Sequence, residues 1–208
     1  MSVITMPTNL PCAKGCSIEL VSADTMTRSD VTSTGQARSY GVPVWAMVLQ
    51  APSPMNDRDA SLWKALGMQM RGFVNLIAAF DPARPEPAGT LRGSVSLAAN
   101  LAQGDSVMSL SAGAGQGGRT LATGDLLQIG SGQGSSQVVM VAADAVADGA
   151  GGISVAFEPP ARRAYASGLG VSWSYPRMYM RRVDPRFGWQ SHPGRWVTGV
   201  QLSLIEEP

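Results

Sequence analysis

The plainest alternation in the chain runs through residues 196–205. Trp196, Thr198, Val200, Leu202 and Leu204 share one parity, against Val197, Gly199, Gln201 and Ser203 on the other, which predicts a half-buried β-strand. Residues 44–50 behave differently, because both parities are apolar: Val44, Ala46 and Val48 on one face, Trp45, Met47 and Leu49 on the other. Such a strand is either central in a layered fold or placed at an interface. Residues 17–21, 73–80 and 178–183 are short apolar runs bounded by turn residues and are read as further strands.

One segment changes to helical spacing. Ala51-Pro52-Ser53-Pro54 breaks the chain, Asn56 or Asp57 can cap a helix, and residues 59–71 set Leu62, Trp63, Leu66 and Met70 on one stripe. Asp59 and Arg71 sit at the ends that the helix dipole favours, and Gly72 is expected as the C-cap.

Residue size divides the chain. Large side chains dominate 1–93 and 174–208, whereas 94–173 is rich in Gly, Ala, Ser and Val. The two parts meet at Asp81-Pro82-Ala83-Arg84-Pro85-Glu86-Pro87-Ala88-Gly89, where the prolines forbid regular structure. Within the middle part, residues 107–110, 126–129, 137–141 and 153–157 read as strands, with Val171 and Trp173 alternating on the way out. Residues 142–147 read as helix by propensity and as strand or loop by position. The expected fold is mainly β: a β-sandwich-like outer domain of five strands and one packed α-helix (1–93 and 174–208), interrupted by a small inserted β-barrel or β-sandwich (94–173).

Composition adds a constraint. Sixteen basic and 15 acidic residues give a net charge of +1, which argues against a free-standing, sequence-specific nucleic-acid binder. Only 15% of the residues are charged, where about 25% is usual. A chain so poor in charge is expected to bury surface against partners. Nothing approaches the roughly 18 apolar residues of a membrane span, and Met1–Pro7 lacks a signal-peptide pattern, so cytoplasmic synthesis without membrane insertion is expected.

The chemistry-bearing residues are few. Cys12, Cys16 and distant His192 fall short of a zinc set, and a Cys12–Cys16 disulfide requires the segment to loop back at Gly15. Two half-buried reduced thiols are the expectation. His192 sits in a Ser191-His192-Pro193-Gly194 turn with no nucleophile-elbow sequence elsewhere, and is read as a solvated turn residue. Gly113-Ala114-Gly115-Gln116-Gly117-Gly118 lacks the Lys-Ser/Thr pair and following helix of a phosphate loop. Asp144 and Asp148 lack the ligand alternation of a calcium site. No enzyme, cofactor or metal is expected.

Arginine usage stands out. Of the 16 basic residues only Lys14 and Lys64 are lysine, and Arg177, Arg181, Arg182, Arg186 and Arg195 fall close together. Arginine without lysine is the composition of a subunit interface, ranked above a solvated strand edge and above a stripe facing passing DNA phosphates. Arg177, Arg181, Arg182, Arg186 and Arg195, with Trp45, Met47 and Leu49, are therefore the candidate interface or lumen residues.

Strand, helix, strand, a β-rich insertion behind a Pro-rich linker and returning strands together resemble the distal tail protein family of long-tailed bacteriophages. The likeness is carried by Trp63-Lys64-Ala65-Leu66-Gly67-Met68-Gln69-Met70-Arg71-Gly72-Phe73-Val74-Asn75-Leu76, by Phe80-Asp81-Pro82-Ala83-Arg84-Pro85, and by Thr123-Gly124-Asp125-Leu126-Leu127-Gln128-Ile129-Gly130. The resemblance implies a structural virion protein at the tail tip: a homo-oligomeric ring, commonly a hexamer, joining the tail tube to hub and tip proteins around a conduit for DNA. Two alternatives stand beside it. One is another tail-tip or hub-associated structural protein. The other is a host-surface carbohydrate-binding module in the insertion, where Phe157, Tyr165 and Trp173 are the available aromatics.

Overall fold

The structure, a computed structural model, describes residues 1–12, 16–28, 34–39 and 41–208. It is mainly β, with 41% strand against 8% helix, one α-helix and a closed six-stranded barrel among several sheets. The outer unit is built on a six-stranded sheet. Its order is Val3–Thr5, Leu76–Ala79, Met178–Arg182, Gln201–Glu206, Val44–Gln50, Cys16–Val21, parallel only in the first pairing. The Val3–Thr5 edge strand adds to the five strands expected from the hydrophobic pattern.

The helix spans Asp57–Gln69, starting two residues earlier than its apolar stripe suggests. Asn56 caps it: its side-chain oxygen accepts from the Asp59 N–H at 2.9 Å, and its amide donates back to the Asp59 carboxylate. Trp63, Leu66 and Met70 are fully buried and Leu62 is half-buried. They share one core with Met47, Leu49, Met178, Met180, Leu202 and Leu204 of the sheet. Gly67 faces Phe187 so closely that a methyl there would overlap the ring. The helix ends before Arg71, which lies with Gly72 in the left-handed region at φ 48° and 67°. Gly72 is thus the second of two reversal residues rather than the cap, and Arg71 lies past the helix end. The 73–80 strand shortens to Leu76–Ala79 because residues 71–74 complete that turn.

Gly199, at φ 74°, breaks the expected 196–205 strand into Trp196–Thr198 and Gln201–Glu206. Parity shifts across the break. Val197 is buried and Trp196 is 49% exposed, while Val200, Leu202 and Leu204 remain inside. The first piece pairs with Gln190–His192 and Met55–Asn56 in a three-stranded sheet that covers the core beside the helix.

All six barrel strands lie between Val95 and Ser172, in the order Leu126–Ile129, Gln137–Val141, Gly152–Glu158, Val107–Ser111, Val95–Leu97, Gly170–Ser172. Met108, Leu110, Val155 and Phe157 alternate into the barrel core. The ambiguous 142–147 run contributes a short strand, Ala145–Val146, paired with Thr120–Leu121. Apart from exposed Met140, the Leu126–Ile129 and Gln137–Val141 pair is buried on both faces. Leu127, Ile129, Val139 and Val141 fill the barrel, while Leu126 and Val138 join the outer core.

Polar groups complete that junction. Arg162 and Glu206 form a buried bidentate ion pair, Nη1 to Oε1 at 2.7 Å and Nη2 to Oε2. Glu206 also accepts the Trp45 N–H at 2.9 Å, and Arg162 Nη2 donates to the Pro43 carbonyl at 3.0 Å. Gln137 accepts the Arg162 N–H at 2.8 Å and donates to the Pro160 carbonyl at 2.9 Å. Trp45 Nε1 donates to the Val138 carbonyl at 2.9 Å. Asp125 secures the linker, its buried carboxylate accepting N–H bonds from Ala88, Gly89 and Ala122. At Gly89 a Cβ would lie 2.7 Å from Leu121 Cα, so the linker can run this close only as glycine.

Removing one partner of a buried ion pair strands the other charge, at a cost of about 3–5 kcal/mol. Arg162→Met is expected to lose that much in urea denaturation. Adding Glu206→Gln to it should recover part of the loss, because the neutral amide still accepts the Trp45 N–H. A double variant no more stable than Arg162→Met would count against the pair as the junction's main polar contact.

Candidate functional site

The residues expected to meet a partner fall into two groups. Trp45, Met47 and Leu49 are 5%, 1% and 0% exposed and belong to the core. They are therefore not interface or lumen residues, and it is Val44, Ala46 and Val48 on the opposite face that are half-exposed. The two-sided apolar pattern arises because the strand is second from the edge, with the helix-covered core below it.

The arginines do not form a stripe. Arg177 is half-buried and internal: its N–H donates to Gln128 Oε1 at 2.9 Å, its guanidinium to the Met6 and Ala78 carbonyls, and it lies 5.5 Å from the Phe80 ring. Arg181 pairs with Glu207 at 2.8 Å and donates to the Phe73 carbonyl. Arg182 is buried, on the core-facing parity of Met178 and Met180. Arg186 and Arg195 are exposed, Arg195 in a left-handed turn at φ 65°. The expected array of five thus reduces to two exposed arginines, because alternation along Met178–Arg182 sends neighbouring residues to opposite faces and the nearest acceptors engage the rest.

The outermost feature was hidden from pattern reading. Beyond Cys16–Val21 and Val44–Gln50, Asp24–Arg28 pairs with Gly35–Ser39 in a separate two-stranded sheet, its register shifted by two residues. Residues 24–28 and 34–38 are all exposed, Met26 at 72%, and among the described residues no third strand pairs with this sheet. Thr, Arg, Gln and Asp on both parities leave no hydrophobic period to find. Among the described residues the six-stranded sheet ends in two unpaired edges, Val3–Thr5 and Cys16–Val21, which expose Val3, Leu20 and Val21.

Other candidates resolve into structure. Cys12 and Cys16 are free and half-buried, and the proposed loop through Gly15 lies outside the described residues. Burial first, and then the Asp81 charge, push the Cys16 thiol up to about 12 and raise Cys12 as well. His192 is exposed, with Nε2 2.9 Å from Thr198 Oγ1. Residues 114–116 of the Gly-rich loop form a turn of 3₁₀ helix. Asp148 accepts the Ala150 and Gly152 N–H groups, and Asp144 accepts from Thr123, which holds its carboxyl below the usual range. Among the described residues no three His, Cys, Asp or Glu side chains gather as metal ligands, and no helix is long and apolar enough to cross a membrane. On the barrel, a groove of about 470 Å³ runs past Trp173, Ser94, Ser131, Leu169 and Ser172. Phe157 and Tyr165 are core residues at 1% and 5% exposure, leaving Trp173 as the one aromatic there; its Nε1 donates to the Gly93 carbonyl and Arg92 lies 5.1 Å from its ring. No family model matches the chain, and no curated protein matches it.

Two measurements check these assignments. The Arg181 hydrogen bond, aided by its charge, holds the Glu207 carboxyl below its ordinary value. The associated stability is present above the unfolded-state value and lost as pH falls through the lower folded one. Glu207 is 42% exposed, so the contribution is well under about 1 kcal/mol. NMR titration should show its carboxyl moving up in Arg181→Ala; an unmoved titration would break the assignment. The cysteines are expected to react with Ellman's reagent roughly a hundredfold slower than free cysteine at pH 8, speeding up in denaturant or as pH climbs toward the raised value. Rapid labelling of the folded chain would contradict their burial.

Proposed function

We propose that this chain is a structural ring subunit at the distal end of a phage tail, joining the tail tube to hub and tip proteins. In this reading it acts by assembly and carries out no catalysis. The observation that carries it is the two-stranded sheet of Asp24–Arg28 and Gly35–Ser39. A two-stranded sheet without a packed face is marginal in water, so a strand pair whose described side chains are exposed on both faces is built to lie against another chain. Two open edges on the six-stranded sheet add support. Pairing one edge with the other edge of the next copy is a heterologous contact, and such contacts close into rings when the rotation allows. The resemblance supplies the hexameric order, the neighbours and the virion location. The low charged fraction accords with a chain that leaves less of its surface in water.

The arginines contribute less to this reading than their clustering suggests, since only Arg186 and Arg195 are exposed for a neighbour or for DNA passing along a lumen. The carbohydrate-binding alternative rests on the Trp173 groove alone. No observation favours a different tail-tip protein over a ring subunit.

Native mass spectrometry of the intact chain is expected to show an assembly about six times its 21.7 kDa mass, and tail-tip images a ring of the same order. Replacing residues 24–39 with an Asn-Gly turn should leave the melting temperature of the protomer within about 2 °C, since every described side chain removed is exposed, while abolishing the ring. A wild-type chain that stays monomeric at high concentration and never enters tails would overturn the proposal.

A further inference from the structure

The five tryptophans differ in what holds their rings. Trp45, Trp63 and Trp173 each donate the indole N–H to a backbone carbonyl, those of Val138, Pro11 and Gly93. The Arg92 guanidinium also lies 5.1 Å from the Trp173 ring. Trp189 has the Lys64 ammonium at 5.2 Å and the Phe187 ring at 5.9 Å. Trp196 has none of these contacts. It is 49% exposed, and among the described residues no group accepts its N–H and no ring or cation lies against it.

Trp196 stands in the middle of the outer face of the three-stranded sheet. Val197 and Met55 turn inward to the core, so the register sends His192, Trp196 and Asn56 outward in one cross-strand row, with Gln190 and Thr198 in the next. These polar side chains are ordered among themselves. Thr198 Oγ1 donates to Gln190 Oε1 at 3.4 Å, and His192 Nε2 lies 2.9 Å from the same hydroxyl oxygen. With the hydroxyl proton given to Gln190, Nε2 is the donor to Thr198. That leaves His192 Nδ1 as a free acceptor and the Gln190 amide as a free donor. Asn56 is held by its two bonds to Asp59. Gly194, at φ 86°, passes the pyrrole edge of the indole with no side chain to cover it. None of the five outward positions is an acid, a lysine or an arginine.

We propose that this face binds a neutral sugar, a glucoside or galactoside, with its ring stacked on Trp196 and its hydroxyls bonded at the rim by Gln190 and His192. Such a pyranose carries a face of weakly positive C–H bonds and a periphery of hydroxyls. The indole face is the negative part of the aromatic quadrupole and attracts those C–H bonds. The rim offers one donor and one acceptor, the pair that a hydroxyl uses. Their mutual bonds hold both side chains in place before a ligand arrives, which lowers the ordering cost of binding. A protein anchor residue sits in a desolvated pocket surrounded by contacts that exclude water, whereas every outward neighbour of this ring is polar. A phosphate-bearing ligand calls for arginine or lysine, which these positions lack. The face lies on the outer unit and is separate from the barrel groove beside Trp173. It does not depend on the tail reading: a monomer can bind the sugar, and a ring can form without it.

The test uses the full chain with methyl β-glucoside and methyl β-galactoside, and with sorbitol as a polyol that has no ring face. Proton NMR at millimolar glycoside is expected to show the sugar ring protons moving upfield, the ring-current mark of stacking, and saturating with protein. Trp196→Ala should abolish the shift. Gln190→Ala should weaken binding about threefold to tenfold, the loss of one hydrogen bond. Both side chains are exposed, so folding is expected to be unchanged, which circular dichroism checks. Trp189→Phe, outside the face, should bind as the wild type does. Tighter binding of the galactoside assigns the rim to an axial hydroxyl, and tighter binding of the glucoside to equatorial ones. No upfield shift of either glycoside, a shift unchanged in Trp196→Ala, or sorbitol bound as well as the glycosides would each overturn the proposal. Assembly lost in Trp196→Ala, with no sugar bound by the wild type, would assign the face to a protein partner instead.

Discussion

The ion pair between Arg162 and Glu206 is the contact on which the relation between barrel and sheet depends. Arg162 lies just after the Gly152–Glu158 barrel strand and Glu206 closes the last strand of the outer sheet, so the pair ties the inserted segment to the chain's final element. It is bidentate, and both ends are engaged elsewhere, through Trp45 and Pro43 on the sheet side and Gln137 on the barrel side. Arg162 Nε alone among these atoms is buried without a partner. Such a network fixes one orientation, since a displacement that breaks one bond strands a charge.

The apolar part of the junction shows why that orientation needs fixing. Leu126 and Val138 point out of the barrel into the outer core, so one hairpin belongs to two hydrophobic clusters. Apolar contact is non-directional and tolerates sliding. Bidentate pairing does not. With Asp125 gripping the linker and Arg177 bonded to Gln128, four separate polar contacts hold the insertion against the sheet. The insertion is a docked part of the molecule, although a Pro-rich linker announces it.

Much of this was legible in the sequence where side chains repeat with a period. The alternation of Ile153, Val155 and Phe157, the helix stripe through Trp63, Leu66 and Met70, and the two-sided strand at Val44–Gln50 all correspond to elements. Misreadings arise where backbone geometry interrupts a period. Gly199 shifts parity between two short strands, and Trp196 goes to the surface in place of Val197. The Asp24–Arg28 and Gly35–Ser39 strands have no period because residues 24–28 and 34–38 are exposed on both faces. The candidate site fared worse. Clustering in sequence grouped Arg177, Arg181, Arg182, Arg186 and Arg195, but strand alternation and local acceptors separate them. The decisive polar pair is 44 residues apart, with no local signal to join its members.

A stiff junction also bears on how the protein would assemble. The Val44–Gln50 strand of the sheet carries Trp45, which is bonded both to Glu206 and to the barrel's Val138. Sheet and barrel therefore share this strand as a common member. If a neighbouring copy holds the sheet, the direction in which it does so also sets the direction of the barrel. An apolar junction of the same area would hold the parts together equally well yet leave their angle free, and in a ring an error in angle accumulates from one subunit to the next. The buried pair at Arg162 and Glu206 contributes little net stability over an apolar replacement. Its use lies in the single geometry it enforces.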